Sequence, residues 1–121
     1  MSVIITDGIL EKEFPKGISE NEKFIILKNA KKEMSVPIKG KNMPFGTTLL
    51  KAYATSESGA RRIVYVLRNA SGHFILLFYR DKKDKIGENI TIKNKYFAKE
   101  LVKHIDIATK DIAENNFTIL E

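Results

Sequence analysis

Cysteine and tryptophan are both absent from the 121 residues. Without thiols there is no disulfide framework, no thiolate nucleophile and no Cys-ligated metal. Histidine is scarce. His73 and His104 lie in different elements and lack metal-ligand spacing. No apolar run approaches the ~20 residues that a membrane-spanning helix needs. Met1 to Asp7 has no cationic lead-in, and its apolar run is only Val3-Ile4-Ile5, so no signal peptide is expected. A Gly-rich phosphate loop before a helix and a GxSxG elbow are also missing. These gaps exclude most metal, thiol and serine chemistry. They are compatible with a reducing cytosol, so a cytoplasmic location is expected, with no membrane contact, no metal and no cofactor.

What is present fits one globular domain, residues 1–121. Apolar residues make up 43% of the chain, and this length supports a core without staples. The net charge of +6 is unevenly spread. Residues 1–36 balance to zero, residues 37–103 carry +9 and residues 104–121 carry −3. A basic excess confined to the middle of a chain attracts polyanions or acidic proteins. The bland alternative is a solvated surface.

The basic middle is a hairpin, residues 58–83. Its first strand enters as Ser58-Gly59-Ala60-Arg61-Arg62-Ile63-Val64-Tyr65. A turn at Ser71-Gly72 leads into Phe74-Ile75-Leu76-Leu77-Phe78-Tyr79-Arg80, then Asp81-Lys82-Lys83. Two apolar runs around a Ser/Gly turn read as antiparallel neighbours. The entrance of one then lies beside the exit of the other. Arg61, Arg62, Arg80, Lys82 and Lys83 are thus expected to converge at one end of the sheet. Both runs are apolar on both faces, as befits central strands covered on each side.

Around the hairpin, Ser2 to Thr6 reads as a short edge strand. Asp7 caps a helix that carries Ile9, Leu10 and Phe14, and Pro15 and Gly17 stop it. Ser19 with Glu22 forms a capping box for a helix over about 20–34, with Phe24, Leu27, Ala30 and Met34 as its core stripe. Residues 35–46 read as irregular. Thr47 to Thr55 reads as a strand, with Leu50, Ala52 and Ala54 inward and Lys51, Tyr53 and Thr55 on the polar face. Asn89 to Ile92 reads as a brief extended piece. A long helix over 94–115 buries Phe97, Leu101, Ile105, Ala108 and Ile112 and carries a lysine stripe at 95, 99 and 103. Phe117 to Leu120 reads as a docked tail.

Lys, Arg and Tyr on a sheet suit phosphodiester chemistry. When a ribose 2′-hydroxyl attacks the neighbouring phosphate, negative charge builds on the phosphoryl oxygens, and fixed guanidinium groups stabilise it. A lysine crowded by cations can serve as base, and a tyrosine can stack on a nucleobase. Acid–base cleavage by His73 and His104 is a weaker reading, since one sits in a turn and the other on the last helix.

The run from Ser58 to Tyr65, the strand Ile75-Leu76-Leu77-Phe78-Tyr79 and the basic loop at Lys82 resemble the core of RelE/HigB-type toxins of the RelE/ParE superfamily. The resemblance covers residues 47–105 by motif and the remainder by element order. It implies an α+β, RelE-like fold: a small antiparallel sheet of three to five strands, two N-terminal helices and one long C-terminal helix. It also implies a toxin of a type II toxin–antitoxin system, a metal-independent endoribonuclease that cuts messenger RNA at the ribosome and is neutralised by an acidic antitoxin. The expected catalytic set is Lys51, Arg62, Arg80 and Lys82. Arg61, Lys83, Tyr53, Tyr79 and Tyr96 are the expected substrate contacts. Two alternatives stay open: a ParE-like inhibitor of DNA gyrase that acts by protein contact, and a non-catalytic basic RNA-binding module.

Overall fold

The computed structural model describes residues 2–121. Three long strands, β3 (Thr47–Ser56), β4 (Gly59–Arg68) and β5 (Phe74–Asp81), form an antiparallel meander. β1 (Val3–Thr6) lies parallel to β5, β2 (Ser35–Pro37) adds to the outer side of β3, and β6 (Phe117–Leu120) pairs with β1. The result is a six-stranded mixed sheet in the order β2-β3-β4-β5-β1-β6. The helices are α1 (Asp7–Glu13), α2 (Glu20–Asn29) and α3 (Lys95–Ala113).

This corrects the expected RelE-like sheet of three to five antiparallel strands. The sheet is larger and mixed. Two segments read as irregular chain and as a docked tail are edge strands, and the first strand pairs in parallel with β5. Each added strand is three or four residues long, too short to show an alternating pattern. β1 is not an edge, because β6 covers its outer side. Asn115, with φ 59°, turns the chain at the end of α3 so that β6 can run back along β1. The extended piece expected at 89–92 is not a strand.

The central strands behave as their composition demands. Ile63 to Leu67 and Phe74 to Tyr79 are all buried. α2 covers one face, where the Tyr65 hydroxyl donates to the Ile26 carbonyl at 2.6 Å. α3 covers the other, where Phe78 meets Phe97 and stacks on His104. α2 opens with the expected capping box at Ser19 and Glu22 but ends at Asn29. Its buried residues are Ile25, Ile26 and Asn29, while Phe24 and Met34 are exposed. The chain must leave the helix early to reach β2.

Because β1 pairs only with Phe74 and Ile75, the later half of the β5 edge has no strand beside it. α1 fills that place. Its last residue, Glu13, accepts the Tyr79 backbone N–H at 2.9 Å, so a carboxylate replaces a strand carbonyl.

Candidate functional site

Register decides which cations share a surface. Tyr53 pairs with Arg62, and Arg62 pairs with Arg80, so these three side chains form one row across three strands. Lys51 pairs with Val64 and Val64 with Phe78, one row further along the same face. Lys51, Tyr53, Arg62 and Arg80 therefore project from one face, the one that α3 partly covers.

The remaining cations separate from them. Arg61 projects from the opposite face. It pairs with Asp81 at 3.2 Å and lines a hollow with Ser19, Glu22 and Tyr79. Burial pushes the Tyr79 hydroxyl up, with the Arg61 charge pulling against it. Lys82 extends the ladder by one residue, its N–H bonding the Ala60 carbonyl. The Lys83 N–H bonds the Asp81 carboxylate, and both lysines are exposed. The basic residues share an end of the sheet, as expected, but divide between its two faces.

Arg62 and Arg80 stand opposite each other, about 5 Å apart at Cα in such a ladder. Like charges so placed repel, and each guanidinium takes a different partner. Arg62 lies over the Tyr53 ring, 4.4 Å from its centroid. It donates to the Arg61 carbonyl and makes no ion pair among the described residues. Tyr53 is 54% exposed, so this cation–aromatic pair faces solvent. Lys51 also lacks an ion pair among the described residues. Its Nζ donates to the Ile90 carbonyl at 2.9 Å, tying β3 to the loop over 82–94.

Arg80 turns inward. Its Nε and Nη2 each donate to Glu13 at 2.8 Å, a bidentate pair. The Glu13 side chain is fully buried. It also accepts from His104 Nε2 at 2.9 Å. His104 Nδ1 faces the Glu100 carbonyl at 2.9 Å. Both ring nitrogens thus face oxygen atoms, which fixes the ring between α1 and its own helix. Burial alone would push the Glu13 carboxyl up. The hydrogen bond from His104, the bonds and charge of Arg80 and the Tyr79 amide outweigh it and hold the carboxyl below its usual range. Burial likewise opposes the charge on Arg80, and the bonds and charge of Glu13, with those of Asp84, overcome it.

A cleft of about 460 Å³ opens beside Arg80, lined also by Asp84, Lys85, Ile86, Tyr96, Lys99 and Glu100. Tyr96 is exposed, with the Lys85 ammonium 5.2 Å from its ring centroid. The wall is built by close packing. At Gly87 an added Cβ would fall 2.1 Å from the Asp81 carbonyl oxygen, so only glycine lets the loop return over β5. Asn94 caps α3 through the Tyr96 N–H and donates to the Lys85 and Asn89 carbonyls, fixing the same loop. An apolar cavity of about 380 Å³ lies elsewhere, between Met43, Val66, Leu77 and Ile112, and has no part in this cationic row.

Glu13 is the residue that sequence reasoning missed, and His104 enters that reasoning only as a partner for His73. His104 sits at the seventh position after Phe97, on the same side as Leu101 and Ala108, and all four are buried. A polar residue on that stripe was the available signal. The two histidines do not meet: His73 pairs with the Ser2 hydroxyl across the turn before β5.

The chain matches no protein-family model, and no curated protein or solved structure is found to be similar to it. Among the described residues no helix is long and apolar enough to cross a membrane.

Proposed function

We propose that this protein is a toxin-type endoribonuclease acting on messenger RNA, with the sheet face that presents Tyr53 and Arg62 and, one row away, Lys51 as its RNA contact. The observation that carries the reading is the pairing of Arg62 and Tyr53. A guanidinium with no carboxylate partner among the described residues rests on a half-exposed aromatic ring, on a sheet face that also presents Lys51. Such a pair offers a π-surface for an unstacked base and a cation for the adjoining phosphate. The resemblance of Ser58 to Tyr65 and of the Lys82 loop to RelE/HigB-type toxins points the same way.

In this reading the RNA supplies its own nucleophile. The 2′-hydroxyl gives its proton to water as its oxygen bonds to phosphorus, the 5′-oxygen leaves and takes up a proton in turn, and a cyclic 2′,3′-phosphate remains. Arg62 stabilises the charge that develops on the phosphoryl oxygens. Lys51, one row away, adds charge and a proton donor. Lys82, exposed at the end of the ladder, is the second ammonium within the basic region. The ribosome supplies the bent messenger strand. An acidic antitoxin covers the basic face until it is released.

Expression of the protein is expected to arrest translation and leave cut messages on ribosomes. Arg62→Ala, expressed to the same level, is expected to do neither. Messages left whole on translating ribosomes by the wild-type protein would end the proposal. Growth arrest with DNA-damage signalling and whole messages would favour gyrase as the target.

A further inference from the structure

The buried cluster beneath Arg80 has no part in the reading above, yet its geometry fixes how that arginine meets the cleft. A guanidinium carries five N–H groups in a rigid fork. Glu13 takes the Nε edge through two bonds of 2.8 Å, which leaves the Nη1 edge turned away from the core. Nη1 reaches only Asp84, at 3.4 and 3.5 Å, long for a charge-assisted bond. Arg80 retains 24% side-chain exposure and lines the cleft with Lys85, Lys99 and Tyr96. Glu13 itself cannot swing, because His104 and the Tyr79 N–H hold both of its oxygens.

We infer that Glu13 is a positioning residue, which with His104 holds Arg80 so that its Nη1 edge serves as a fixed donor for a second RNA phosphate in the cleft between residues 84–86 and the start of α3. This rests on the proposed action on RNA. The cleft presents three cations, Arg80, Lys85 and Lys99, against the carboxylates of Asp84 and Glu100, and Glu100 is drawn toward Lys103 at 3.6 Å. Asp84 is the gatekeeper. Its Oδ1 is engaged by the Ile86 N–H, and its weak hold on Nη1 is one that a phosphate can replace.

The test is binding of a 2′-O-methylated single-stranded oligonucleotide, which cannot be cut by its own 2′-oxygen. It is read by fluorescence anisotropy well below the melting temperature of each variant. Arg80→Ala and Glu13→Gln are each expected to weaken binding about tenfold. In the Arg80→Ala background, Glu13→Gln should weaken binding no further while still lowering the melting temperature. Asp84→Asn keeps the Oδ1 acceptor and should tighten binding about threefold. Should Glu13→Gln fail to fold, Glu13→Asp and Asp84→Asn carry the test. Binding unchanged or tightened by a folded Glu13 variant, additive losses in the double variant, or no gain from Asp84→Asn would each overturn the inference. Loss on Arg62→Ala with none on Arg80→Ala would overturn it too, and leave the RNA reading standing. No loss on Arg62→Ala would remove that reading itself.

Discussion

Arg62 and Arg80 occupy one row of the same ladder and lead opposite lives. Arg62 lies on an exposed tyrosine and forms no ion pair among the described residues. Arg80 is clamped by a buried glutamate that also engages a buried histidine. The difference begins in strand length. β1 stops after four residues, so α1 lies against the free edge of β5 and delivers Glu13 there. β3 runs the full length of β4, so Arg62 has a strand beside it and only a side chain to lean on. At the free edge one side of the Arg80 guanidinium is held by structure and only its Nη1 edge is left over, whereas Arg62 is held by an aromatic ring alone.

The comparison can be broken most forcefully at Glu13. Glu13→Ala leaves the part-buried Arg80 and the buried His104 without their shared partner and is expected to cost about 3 kcal/mol of stability, measured by chemical denaturation. Arg62→Ala, by contrast, should alter stability by no more than about 0.5 kcal/mol.

Acid should separate the two ends as well. The Glu13 carboxyl is held below its ordinary value of 4.5. Its stabilisation is therefore complete above that value and is lost as pH falls through the lower value of the folded protein. Unfolding curves taken down through this acid range should steepen for the wild type and flatten for Glu13→Gln. Arg62→Ala should follow the wild type.

At the exposed end the effects belong to binding. Tyr53→Ala removes the ring beneath Arg62 and should cost about 1–3 kcal/mol of single-stranded RNA affinity, with the melting temperature nearly unchanged. The smallest effect is expected from Lys83→Ala. Its exposed side chain lies outside the row, so RNA affinity should change mainly through long-range charge and only at low salt.

Sequence carried the hairpin well, because its signals are local. Ile63 to Leu67 and Phe74 to Tyr79 are too continuously apolar to be anything but central strands, and Ser71-Gly72 marks their turn. The capping box at Ser19 and the end of α3 at Asn115 were legible for the same reason. Pairing partners were not. Nothing in Val3-Ile4-Ile5 says that it runs parallel to β5, and Ser35 to Pro37 becomes a strand only because β3 offers an edge. The candidate site divided along this line. Alternation put Lys51 with Tyr53 on one face of β3, but setting Arg62 against Arg80 took the register of the ladder. The same register sends Arg61 and Tyr79 to the other face, which the expected convergence at one sheet end did not separate. The Glu13–Arg80–His104 cluster joins residues 67 and 91 positions from Glu13, a distance over which no spacing rule operates.

The central claim is that the Tyr53–Arg62 end meets RNA while the Arg61–Tyr79 face does not. Amide NMR during titration with the 2′-O-methylated oligonucleotide tests it most directly. Shifts gathered at residues 51, 53 and 62 and in the loop over 82–86 are the predicted result. Shifts centred on Ser19, Glu22, Arg61 and Tyr79, or none along β3 and β4, would contradict it.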